Sequence, residues 1–114
     1  MNAELSLSFT AAGRARDVSR AIEEYARGLG SVSALVVPWE SDATTLSMAV
    51  TSVKTDGWAI EHTNLGTITL TDLGNDATRV AVVSHASDRP ESASLVAVFD
   101  RFAQQLQGRF RSAP

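Results

Sequence analysis

Between Thr44 and His85 apolar residues recur at every second position, and from Glu91 to Phe110 they recur every three or four. That switch of period constrains the fold more than any other feature of this 114-residue chain. A two-residue period marks strands with one buried face, and a 3.6-residue period marks a helix with one buried stripe. Leu46, Met48 and Val50 alternate with Ser47, Ala49 and Thr51. Thr55, Asp56 and Gly57 read as a hairpin turn, after which Trp58, Ile60 and His62 alternate with Ala59, Glu61 and Thr63. Asn64, Leu65 and Gly66 read as a further turn, followed by Ile68 and Leu70 among threonines. Gly74, Asn75 and Asp76 make the next turn, and Val80 and Val82 lead to His85. A short link through Asp88, Arg89 and Pro90 then opens a helix whose stripe is Leu95, Val98, Phe99, Phe102, Ala103, Leu106 and Phe110.

Upstream, Leu5, Leu7 and Phe9 alternate with serines and a threonine, which predicts a first strand. Asp17 is a plausible N-cap for a helix running to about Leu29, with Val18, Ile22, Tyr25 and Ala26 on one side and Gly28 and Gly30 as its stop. Val32 to Val37 predicts a strand that Pro38 ends. The order is β-α-β5-α in one domain spanning residues 1–114. The fold class this predicts is α+β, a curved antiparallel sheet of about six strands gripping a long C-terminal helix.

Composition excludes several function classes. Net charge is −3, and the arginines are dispersed with Lys54 the only lysine, so no basic cluster suits nucleic acid. Cysteine is absent, which removes disulfides, thiolate metal sites and cysteine nucleophiles and fits a cytoplasmic protein. The first residues show no basic and apolar segments of a signal peptide, and no apolar run approaches the ~20 residues of a membrane span. Two histidines without ligand spacing do not predict a metal site, and no cofactor motif is present.

Gly66, Thr67, Ile68, Thr69 and Leu70, the turn at Gly74, and Thr78, Arg79, Val80, Ala81 and Val82 before a closing helix form a recurrent pattern. The chain resembles the START/Bet v 1-like superfamily, also called the SRPBCC or polyketide cyclase/dehydrase group. It is shorter than typical members and has one strand fewer. The resemblance implies an apolar cavity between sheet and long helix, holding a hydrophobic small molecule. Phe9, Met48, Trp58, Ile60 and Leu70 would line it from the sheet with Val82, and Leu95, Phe99 and Phe102 would close it from the helix. Any chemistry the resemblance suggests is cyclisation or dehydration guided by cavity shape.

His62 is the polar residue best suited to such a site, because its alternation with Trp58 and Ile60 aims it at the cavity as a general base or a partner for a ligand hydroxyl. The plainer alternative is a hydrogen-bonded strand-end histidine. His85 is expected to point outward; Ser84 and Tyr25 are further polar groups near the expected cavity. No Gly-x-Ser-x-Gly elbow supports hydrolase chemistry. A second possibility is a filled core and a non-enzymatic, homo-oligomeric interaction module, most simply a homodimer. The opposite sheet face, with Leu35, Val37, Trp39, Val53, Ala81 and Val83, is more apolar than a merely solvated one.

Overall fold

The computed structural model describes residues 6–42, 44–84 and 92–111, and their side chains except those of residues 6, 54–56, 61, 62 and 92–96. Leu5, His85 and the link at Asp88, Arg89 and Pro90 lie outside the described residues. The elements are β1 (Ser6–Ala12), α1 (Ala15–Leu29), β2 (Val32–Val36), a 3-10 turn (Pro38–Glu40), β3 (Thr45–Asp56), β4 (Ala59–Gly74), β5 (Ala77–Ser84) and α2 (Ser92–Phe110). One antiparallel sheet has the order β1-β5-β4-β3-β2.

The sheet has five strands, where the sequence predicted about six. The two strands expected on either side of Asn64, Leu65 and Gly66 are a single strand, β4. Val50 pairs with Gly66 and Thr51 with Asn64, so Leu65 is an extra residue in a β-bulge. Its side chain is 3% exposed. Burying that leucine favours the bulge over a solvent-exposed turn. An extra residue also inverts the alternation, so side chains before Leu65 lie on the opposite face from the one a straight count gives.

The helices follow from their stripes. Val18, Ile22 and Ala26 of α1 are buried at four-residue spacing. The helix begins at Ala15, two residues before the expected cap; Arg14 caps it without a side-chain bond, and Asp17 sits in the first turn. It ends at Gly30, whose left-handed φ of 79° lets its N–H reach the Arg27 carbonyl. In α2, Phe99, Phe102, Ala103 and Leu106 are buried, as their spacing predicts.

Both helices lie against the face made by Phe9, Ala34, Met48, Val50, Ile68, Leu70, Val80 and Val82, and all of these join one core. α1 lies mainly over β2, while α2 touches β1, β4 and β5. The expected grip on one long helix is therefore a face divided between two. Tyr25 connects them: its ring stacks on Phe102 at 6.2 Å, meets Phe110 edge-on at 6.1 Å and carries the Arg109 guanidinium 5.2 Å away.

Candidate functional site

Six of the residues expected to line a cavity are core instead. Phe9, Met48, Leu70, Val82, Phe99 and Phe102 are at most 7% exposed and belong to the same packed cluster. The contact at Gly66 shows how tightly the seam closes. A Cβ there would lie 2.6 Å from Phe99 Cζ and would collide with the Val83 carbonyl. The Phe99 ring thus rests on the bare backbone of the bulge, filling the space between β4 and α2.

Trp58 and Ile60 do not face that seam. Trp58 is fully exposed and Ile60 is 63% exposed. For Ile60 the bulge is the physical reason, because it turns that residue to the face shared by Thr51 and Asn64, while Trp58 stands in the turn between β3 and β4. His62 pairs through its backbone with Val53, a partner on that same face. The side chains of His62 and Leu95 lie outside the described part of the structure. The alternation that placed His62 beside a cavity holds only for an unbulged strand.

Other polar groups have structural roles. Asp42 accepts bonds from the Thr44 and Thr45 N–H groups at 2.8 Å each and from the Thr44 hydroxyl at 3.2 Å. These donors, the Thr44 amide foremost, hold its carboxyl below the usual aspartate value. Ser84 is 1% exposed, and its Oγ has no hydrogen-bond partner among the described residues. It pairs with Gly66, which places it next to the Phe99 contact. Among the described residues no three His, Cys, Asp or Glu side chains could hold a metal ion. No described helix is long and apolar enough to cross a membrane.

The concave feature the sequence did not announce is a half-open cleft of about 370 Å³ where α1 ends beside α2. Leu29, Val32, Val98 and Phe102 form its walls, with Arg101 and Gln105 at the rim. It lies on the flank of α2, at the edge of the packed core to which Val32 and Phe102 belong. Only the apolar exposure of Leu29 and Val98, each about 40%, could have signalled it.

The outer sheet face is built from rows of cross-strand partners. Thr67 lies between Val83 and Ala49, and Ala49 pairs in turn with Leu35. Thr69 lies between Ala81 and Ser47, and Thr71 between Arg79 and Thr45. Ser8 and Thr10 continue these rows on β1. Arg79 is the one ionisable residue in these rows. Leu35 is 57% exposed, Val83 is 36% exposed, and Ala81 and Val53 are half-buried. Trp39, in the 3-10 turn after Val37, is 84% exposed.

Beyond this face β3 and β4 continue as a two-stranded arm, residues 53–62, closed by a turn at Gly57 with φ 64°. Val53 N–H still reaches the Ser31 carbonyl. Beyond that bond, no described residue pairs with either arm strand on its outward edge. Comparison with protein families, with curated proteins and with solved structures finds no match to this chain.

Proposed function

We propose that this domain is a non-catalytic interaction module that assembles with a second copy of itself through the outer face of its sheet. The observation that supports the reading is the placement of apolar surface. Six of the nine residues suited to a ligand cavity fill the core, while Trp58 and Ile60 from the same set are exposed, as are Leu35 and Val83. A two-fold interface uses one patch on both copies, so the patch must complement itself. A shallow face of Thr, Ser, Ala, Val and Leu with a single arginine does so without opposing like charges. It carries little of the chain's net charge of −3.

Sedimentation equilibrium of the wild type against Leu35→Glu/Val83→Glu tests this. Both side chains are exposed, so the variant should keep its circular dichroism spectrum while two carboxylates per copy break the interface. A wild type that stays at 12.1 kDa up to high concentration overturns the proposal.

A second reading keeps the binding of a hydrophobic small molecule but moves it from the seam to the cleft beside α2. Its volume falls in the roughly 300–1,000 Å³ range of ligand pockets, and its apolar walls with Arg101 at the rim suit an apolar body bearing a carboxylate. Native mass spectrometry tests it: a bound small anion lost on Arg101→Ala supports it, and bare protein sinks it. Within either reading, the β-α-β4-α order keeps the START/Bet v 1-like resemblance as a proposal about descent only.

A further inference from the structure

We infer that the β3–β4 arm is the clasp of this assembly, each arm lying against the arm of a second copy about a two-fold axis parallel to the strands. The inference rests on the outer-face reading above and adds the geometry and the residues that fasten it.

Three observations carry it. The first is that an isolated two-stranded ribbon is marginal in water. Residues 53–62 form such a ribbon beyond the last described pairings with β2 and β5. Its apolar side chains are not folded back: Trp58 at the tip is 101% exposed and Ile60 is 63% exposed. The second is that the Leu65 bulge sets which side of the ribbon is apolar. It carries Ile60 to the face of Val53, Thr51 and Leu35, so the stripe is continuous with the outer sheet face. An unbulged β4 would place Ile60 toward the core side, where no second copy could reach it.

The third observation is topological. β4 is the middle strand of the order β1-β5-β4-β3-β2, so the arm projects close to the midline of the sheet. Facing two copies with the axis along the strands puts sheet on sheet and, because the arm is near the midline, arm on arm. Turning the second copy end for end lays each arm beyond or across its partner's sheet and leaves part of both faces bare. Size favours the first arrangement. Five strands about 4.8 Å apart and some six residues long give a flat sheet footprint of roughly 500 Å². A stable interface hides about 800 Å² per partner, and the arm adds roughly 200 Å², most of the difference. Within aligned packing the two sheets would cross at about −30° from their twist.

Near the axis Ile60 of each copy comes close to the same residue of the other. The chain has no cysteine, so Ile60→Cys introduces a single thiol. Under oxidised glutathione, with reduced glutathione as the product, Ile60→Cys should form a disulfide-linked dimer within minutes. Leu73→Cys, exposed at the far end of β4, should remain mostly mixed disulfide. In a Trp39→Phe background Trp58 is the sole tryptophan. Its acrylamide quenching should fall several-fold on assembly and recover on dilution. Trp58→Ser/Ile60→Ser should weaken the dimer at least tenfold while leaving the monomer's melting temperature unchanged.

A dimer by mass in which Ile60→Cys fails to cross-link and Trp58 stays fully quenchable overturns the clasp and leaves the outer-face reading standing. A monomer at every concentration overturns both. Protection of Trp58 only on anionic lipid vesicles, with no change of mass in solution, also overturns it.

Discussion

Gly66→Ala is the perturbation that reads the seam most directly. The glycine is needed for space, because its φ lies outside the left-handed region and any residue could adopt its backbone. The added methyl would meet Phe99 Cζ at 2.6 Å and the Val83 carbonyl, a backbone atom fixed by the β4–β5 ladder. Overpacking a closed core costs about 1–3 kcal/mol, and with one neighbour unable to give, the upper end applies. Against a total stability of about 5–15 kcal/mol, a loss of ~3 kcal/mol is large. At roughly 4 °C per kcal/mol it lowers the melting temperature by about 10 °C.

Urea unfolding of Gly66→Ala, Phe99→Leu and the double variant separates the two collisions. Leucine lacks the atoms that reach Gly66, so in the Phe99→Leu background the methyl should cost about 1 kcal/mol less than in the wild type. Additivity within ~0.5 kcal/mol would refute the reasoning. It would mean that the ring is free to swing into open space and that the seam holds a cavity.

Four further outcomes follow from particular contacts. Ser84→Ala removes a buried hydroxyl that has no partner among the described residues, so it should be neutral or stabilising by up to about 1 kcal/mol in urea unfolding; a destabilisation would assign the hydroxyl a partner. Thr78→Val deletes the 2.8 Å bond from the Thr78 hydroxyl to the Gly13 carbonyl and should cost about 1–2 kcal/mol; no change would argue that the β1–α1 loop is not held there. Gly30→Ala forces a side chain into φ 79° and should cost about 1 kcal/mol by thermal unfolding; an unchanged melt would contradict the left-handed cap. Asp42 has a lowered folded pKa, so its contribution is present above the unfolded value and lost as pH falls through the folded one. An NMR titration should place its carboxyl below an ordinary aspartate, and Thr44→Ala should raise it; an ordinary value in the wild type would sink the turn geometry.

Much of the fold was legible because local and tertiary signals agreed. The stripe through Phe99, Phe102 and Leu106 sits where its spacing predicts, and Ile22 and Ala26 bury the expected side of α1. The β4–β5 turn follows from Asn75 and Asp76, whose φ values of 53° and 56° are those of a two-residue hairpin loop. What misled was one residue. Asn64, Leu65 and Gly66 have turn composition, and alternation carries no information about an inserted residue. Leu65 held the available clue, since a large apolar side chain seldom occupies the middle of an exposed turn. Missing the bulge put Ile60 on the wrong face, while Trp58 stands in the turn beyond both strands. Gly66 could be read only in three dimensions, because its partner Phe99 lies 33 positions away. The cleft beside α2 likewise joins Leu29 to Val98, distant residues with no shared motif.

If the domain assembles as proposed, its working apolar surface lies outside the sheet, not inside it. Sedimentation equilibrium of the full chain across a wide concentration range tests that claim directly. Assembly through the outer face gives a single reversible transition from 12.1 kDa to twice that mass. A mass of 12.1 kDa at every concentration would contradict it.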